Sequence, residues 1–326
     1  MKKKQIVLLA ITIIFLVLVF NKIEFDILIE TIKNFNLKHL ILIIATFLLS
    51  LYIRGVRWKF LLMNNPKYSA YNLAEIFTVG NMLNIFLPAR AGDLYRAYYL
   101  GDEKGEKKLK VFGTIILERL FDGITMFLFL LGAILLYSKA QWILNLTFSI
   151  GAVFILGTIF VYLVFKYNKS KEIARLICSK IKSEKICHAI KRLTTYLNIF
   201  IRGFSAFKKP SYMFLILLLS FFAWGLEAIV ACIIINSFGL NLPLTAGIFI
   251  TTLTAFSTMI PSTSVLVGPY QVAYILALGL FEISKSKALA ISAVHQIILV
   301  LIFTIVGGLL MFKFNIQSVR KKETTV

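Results

Sequence analysis

The chain has 326 residues, 59% of them apolar and 16% charged, with a formal net charge of +21. A mean hydropathy of +0.85 excludes an ordinary soluble domain, in which apolar residues make up about half. No basic helix alternates with base-stacking aromatics, so the positive charge is assigned to the borders of membrane spans and not to nucleic acid.

In chain order, the first element is an apolar run over 6–20, behind Lys2, Lys3 and Lys4. No small-residue cleavage site follows it, so it is predicted as an uncleaved first helix and not a signal peptide. Further full spans are predicted at 39–60, 113–136, 142–165, 211–236 and 288–312. Each is close to the ~20 residues that cross a bilayer as helix. The runs are continuous and not alternating, which points to helices and away from a barrel.

Two more apolar stretches carry breakers at their centres. The stretch 73–100 contains Pro88 and Gly92, and the stretch 243–280 contains Pro261, Gly268 and Pro269. Proline ends or kinks a helix, and at membrane depth such a break is tolerated only inside protein or beside a cavity. The first stretch is too short for two crossings, so a re-entrant helical hairpin is expected; the second could be a hairpin or two short crossings. The predicted fold is an all-α polytopic membrane protein, one domain over 1–326, with six full spans and two broken hairpins.

Charge counting supports this drawing. If both broken stretches return to the side they entered, the cytoplasmic segments hold 27 Lys/Arg and the external ones 6. If each crossed once, the best split would be 21 against 12. The positive-inside rule selects the hairpins, with both termini cytoplasmic. The broken stretches also resemble each other. Gly92-x4-Ala97-Tyr98-x-Leu100 lines up with Gly268-x4-Ala273-Tyr274-x-Leu276, and a proline precedes each glycine. An inverted repeat is expected, with halves at 39–136 and 211–312 joined by one crossing. Inverted repeats with broken helices are a transporter signature.

The segment 166–210 carries twelve Lys/Arg. Ile173, Ile177 and Ile181 recur at helical spacing, as do Ile186, Ile190, Leu193 and Leu197. An amphipathic helix on an anionic leaflet is expected, against a plain solvated loop. Cys178 and Cys187 lie in it beside His188; three ligands do not complete a zinc site. With Cys232, they are expected as free thiols, and no metal is expected.

Ionisable residues inside a membrane are costly and are functional candidates by default. Arg90, Asp93 and Arg96 flank the first break at a spacing of three, on one side of the returning half-helix. Asp93 is placed to cap that helix, whose free N–H groups and positive dipole end suit an anion. Arg90 and Arg96 add forked donors for phosphate or carboxylate; pairing with Glu118 or Asp122, or snorkelling, are the alternatives. Glu118, Arg119 and Asp122 follow in the next span, with Glu118 about 12 Å beyond Lys110. Arg54, Arg57 and Trp58 close the span before and read as a belt at the headgroup level. The second half is milder, with Glu227, Ser262, Thr263, Ser264, Gln271, His295 and Gln296. A lone intramembrane His295 could carry protons or simply be packed. No nucleotide loop, His-Glu-x-x-His or Gly-x-Ser-x-Gly motif is present, so neither an enzyme nor a cofactor is expected.

Asn84-x3-Pro88-x-Arg90-Ala91-Gly92-Asp93-x2-Arg96, followed by Glu118-Arg119-x2-Asp122, resembles the flippase-like transmembrane domain of lysylphosphatidylglycerol synthetases and its stand-alone relatives. The resemblance runs from about residue 5 to 312. In the synthetases a separate soluble domain makes the aminoacylated lipid, and translocation is assigned to the membrane domain. That soluble part is not in this sequence, so lipid aminoacylation is not expected. The family's second half shows a Gly-rich break followed by Glu, where this chain has Gln271. The expected function is translocation of an anionic, phosphate-bearing lipid at the cell membrane, with membrane lipids as partners. Two rivals stand beside it: an intramembrane enzyme using Glu118 and Asp122 as acid and base, and a scaffold that recruits a soluble enzyme through 166–210.

Overall fold

The computed structural model describes residues 25–33, 35–87, 90–137, 141–181, 183–258 and 268–323. These fold as helices α1 (Phe25–Lys33), α2 (Leu40–Leu61), α3 (Ala70–Phe86), α4 (Ala91–Lys104), α5 (Lys108–Tyr137), α6 (Gln141–Lys166), α7 (Ser170–Lys180), α8 (Glu184–Ile201), α9 (Pro210–Asn236), α10 (Leu244–Ser257), α11 (Pro269–Gly279) and α12 (Lys285–Glu323). Short 3₁₀ turns occupy Leu37–His39 and Arg202–Lys208. The boundaries follow local chemistry. Ser69 accepts from the Asn72 N–H at 3.0 Å and caps α3, Pro210 opens α9 where no N–H is needed, and Gly105, at φ 69°, closes α4 in the left-handed conformation.

Among the described residues, five helices are long and apolar enough to cross a membrane: Leu37–Leu61, Lys108–Tyr137, Gln141–Lys166, Pro210–Asn236 and Lys285–Asn315. They coincide with the predicted spans at 39–60, 113–136, 142–165, 211–236 and 288–312. The predicted span at 6–20 lies outside the described residues. The α6 helix packs on α5, with Phe154 against Gly123 and Phe127 against Gly151, and only 6% of its apolar window is buried.

Both broken stretches are helix–break–helix. Pro88 and Pro261 lie outside the described residues, as do Ser262, Thr263 and Ser264. Gly92 falls in the first turn of α4, and Gly268 and Pro269 open α11. The α3 and α4 helices fold back on each other so tightly that a Cβ on Gly92 would lie 1.8 Å from the Gly80 carbonyl oxygen. Small residues permit this approach where lipid supplies no hydrophobic drive between helices.

The interior divides into two apolar cores. One joins Ile43, Phe47 and Leu51 of α2 to Leu130 of α5, Ile234 of α9, Phe249 of α10, Tyr274 of α11 and Ile291 of α12. The other joins Trp58 and Leu61 of α2 to Leu73 and Val79 of α3, Leu100 of α4, Ile115 of α5 and Ile216 of α9. The α10–α11 hairpin therefore belongs to one end of the bundle and the α3–α4 hairpin to the other. On α2 and α9, Arg54, Arg57 and Glu227 lie between the two cores, and on α5 Glu118, Arg119 and Asp122 interrupt the edge of the second core that faces the first.

The cysteines depart from the expectation of free thiols. The α7 and α8 helices run antiparallel, and this brings Cys178 and Cys187 together as a disulfide with Cα atoms 5.1 Å apart. Cys232 is free.

Candidate functional site

The layer between the cores is built from five helices. The α5 helix presents Glu118, Arg119 and Asp122, where i, i+4 spacing sets both carboxylates on one face. Facing them is α2, whose Arg57 is wholly buried and pairs with Asp122 and, at 3.3 Å, with Glu118. The same guanidinium donates to Ser220 Oγ of α9 at 2.8 Å. The Trp224 indole of α9 donates to Asp122 at 2.8 Å. One turn earlier on α2, Arg54 pairs with Glu227 of α9 at 2.6 Å and lies 4.1 Å over the Trp224 ring.

The α4 helix enters from the other side. Arg96 is wholly buried and grips Glu118 with two donors, at 2.8 and 3.3 Å. Its guanidinium lies 4.1 Å over Trp58 and 4.7 Å over Phe77. Stacking on aromatic faces is how a guanidinium tolerates a dry site. Asp93 accepts from Arg119 at 3.2 Å and from Asn84 at 3.2 Å. The N-cap position is held not by Asp93 but by Arg90, which makes no capping side-chain hydrogen bond and whose backbone is left-handed at φ 53°. That conformation costs a non-glycine residue of order 1–3 kcal/mol and persists only where the surroundings hold it.

Arg90 differs from its neighbours. It makes no ion pair among the described residues, and its Nη2 donates to Thr258 Oγ1, the C-cap of α10, at 2.8 Å. The N-terminal end of α4 and the C-terminal end of α10 thus meet at this contact. The layer also has donors to spare: the Nε groups of Arg54, Arg57, Arg96 and Arg119 are buried and hydrogen-bond to nothing among the described residues.

The remaining candidates form a separate cluster. The Gln271 side chain accepts from the Gly268 N–H at 2.7 Å, closing the start of α11, and donates to Gln296. His295 Nδ1 is hydrogen-bonded to the Tyr274 hydroxyl, and Tyr270 packs edge-on to its ring. This cluster has no charged member, and it sits in the core of the second hairpin. No three acidic, His or Cys side chains among the described residues are grouped to hold a metal.

Sequence reasoning read Arg54, Arg57 and Trp58 as a belt at the headgroup level; the structure packs all three inside the protein. They are 3%, 0% and 0% exposed, at the centre of the charge layer. A signal was present: the span of Arg54 and Arg57 carries two arginines and no carboxylate, and other spans carry the acids that pair with them, Glu118 and Asp122 with Arg57 and Glu227 with Arg54. Arg96 likewise gives both of its terminal nitrogens to Glu118.

The family described as "Lysylphosphatidylglycerol synthase TM region" matches residues 5–307. A UPF0104 membrane protein of Methanocaldococcus jannaschii is 28% identical over 243 residues, covering 74% of this chain and 98% of that one. A second from the same organism is 26% identical over 98% of this chain and 97% of its own. One from Pyrococcus horikoshii is 24% identical over 96% of this chain and 97% of its own. No solved structure matches the chain.

Proposed function

The chain belongs to the family of the lysylphosphatidylglycerol synthase TM region, and from that membership and the charge layer we propose that it binds and translocates the headgroup of an anionic, phosphate-bearing membrane lipid. The observation that carries this is the uneven pairing of the layer. Arg54, Arg57, Arg96 and Arg119 are matched by Asp93, Glu118, Asp122 and Glu227. Among the described residues Arg90 has only a hydroxyl, at the N-terminus of a 14-residue helix. A guanidinium in such a setting is stabilised by an incoming anion, and the helix dipole adds to the attraction.

The hairpins supply a path. They come from opposite ends of the bundle and touch at Arg90 and Thr258, which supports reading them as re-entrant halves of an inverted repeat. Separation of the tips would release Arg90 from Thr258 and admit a headgroup, while the acyl or prenyl tails stay in lipid. The protein is then a cell-membrane transporter with both termini cytoplasmic, the orientation favoured by the 27-to-6 charge split. The enzyme reading is disfavoured because Glu118 and Asp122 are each ion-paired to a buried guanidinium, an arrangement that suits fixed charges better than an acid–base pair.

The test is movement of fluorescent phospholipids and prenyl phosphates across proteoliposomes. Arg90→Ala should abolish it in a folded protein. Arg90→Lys keeps the charge but loses the fork, and should weaken it. Wild-type transport of every lipid by Arg90→Ala would refute the proposal.

A further inference from the structure

The α7–α8 hairpin is separate from the charge layer, and we propose that it is a one-sided platform lying in the headgroup layer and binding anionic lipid there. This does not rest on the translocation reading. The hairpin is closed at both ends. The Cys178–Cys187 disulfide ties one end. At the other, Asn168 donates to Asn198 Oδ1 at 2.7 Å, and Asn198 donates to Ser170 Oγ at 3.0 Å. Phe200 packs against Phe112 with ring centroids 6.2 Å apart, which seats the end of α8 on α5.

The two helices face each other through Ala174 and Cys178 on α7 and through Cys187, Ile190, Thr194 and Asn198 on α8, positions that are buried or half-buried. At ~100° per residue, Ile173 and Ile177 lie about a quarter- to a third-turn to one side of the α7 contact line, and Leu176 lies about a half-turn from it, on the outer edge of the same face. Ile186, Leu193 and Leu197 lie about a quarter-turn from the α8 contact line. Because the helices are antiparallel, both stripes fall on the same broad face of the hairpin. All six side chains are exposed, Leu176 at 65% and Leu193 at 69%. Lys171, Arg175 and Arg192 fall on the opposite face and its edges, exposed as well.

Two features select lipid as the occupant. First, the hairpin is tethered at both ends to spanning helices, α6 ending at Lys166 and α9 beginning at Pro210. Lys166 lies against Tyr162 and Tyr167, an aromatic and cationic border of the kind found at the bilayer surface. Second, twelve Lys/Arg in 166–210 stand against two acidic residues, Glu172 and Glu184. An apolar stripe backed by that much positive charge fits an anionic leaflet, with the stripe in the acyl boundary and the cations among the headgroups.

Ile173→Trp and Leu193→Trp, made singly and placed in nanodiscs of phosphatidylcholine with or without phosphatidylglycerol, test this. The emission added over the parent protein should be quenched by brominated lipid and shielded from aqueous acrylamide. Quenching should be stronger with brominated phosphatidylglycerol than with brominated phosphatidylcholine. Acrylamide quenching without lipid quenching would put the face in water and overturn the proposal. Shielding from both quenchers would mean a protein occupant, such as a second copy, and would overturn it too. Equal quenching by the two lipids would overturn the anionic preference. In the unaltered protein, amide exchange over 170–200 should slow by about tenfold or more when phosphatidylglycerol is added to the discs; unchanged exchange would count against the platform.

Discussion

Arg90 and Thr258 are 168 residues apart in the chain and hydrogen-bonded at 2.8 Å, each at the inner end of a broken helix. The contact is neutral on one side, so it satisfies the guanidinium without cancelling its charge. Arg90→Ala should therefore lose co-purifying anionic lipid. Thr258→Val, which removes only the competing hydroxyl, should retain at least as much lipid as wild type and cost about 1 kcal/mol of stability. Native mass spectrometry of gently purified protein checks both, and the reverse order of retention would sink the assignment of Arg90 as the anion contact.

Arg96 and Arg57 should behave differently from Arg90. Both are wholly buried and both hold Glu118. Truncation of either to Ala leaves a carboxylate short of its partner, at a cost of about 3–5 kcal/mol. Arg96→Met with Glu118→Leu removes charge from both sides and should recover most of the loss. Thermal melts followed by tryptophan fluorescence separate these cases. A Tm for Arg96→Ala within a degree of wild type would refute the clamp.

Gly92→Ala should break the first hairpin. The added methyl would lie 1.8 Å from the Gly80 carbonyl oxygen, a backbone atom that cannot swing aside, so the cost should exceed the ~1–3 kcal/mol of ordinary overpacking. Gly132→Ala, whose Cβ meets nothing within 4 Å, is the control. Yield and monodispersity in detergent provide the readout, and equal behaviour of the two variants would contradict the close packing of α3 on α4.

Thiol titration tests the pairing in the α7–α8 hairpin. Protein unfolded without reductant should show one thiol, Cys232, and after reduction all three cysteines should react. Three thiols without reduction would show that the pair is open in the purified protein.

Most of the bundle was legible because the bilayer sets a length scale. A span must be apolar for ~20 residues, and that signal is local. Arg54 and Arg57 were misplaced for the opposite reason. Their depth depends on where α2 slides relative to α5 and α9, and an arginine near a span end snorkels or buries according to partners far along the chain. Their pairing with Glu227 and Asp122 became visible only with the helices assembled. The isolation of Arg90 was similarly hidden: spacing put it on one side with Asp93 and Arg96, but its left-handed backbone, at φ 53°, turns it to the second hairpin. The disulfide was missed because nothing in the spacing of Cys178 and Cys187 reveals that the helices bearing them reverse direction.

The reach of the charge layer along the chain has a consequence for biogenesis. Arg57 finds Asp122 65 residues later, and Arg54 finds Glu227 173 residues later. At ~5–20 residues per second of synthesis, Arg54 waits roughly 10–35 s for its counter-ion to leave the ribosome. During that interval α2 carries two unneutralised guanidinium groups, which resist entry into hydrocarbon. The helix must then either linger beside the translocation channel or rest high in the bilayer with its arginines at the surface. It settles to its final depth only when α5 and α9 arrive. Insertion of this protein is thus a delayed, partner-dependent event, and α2 expressed alone should fail to span the membrane stably.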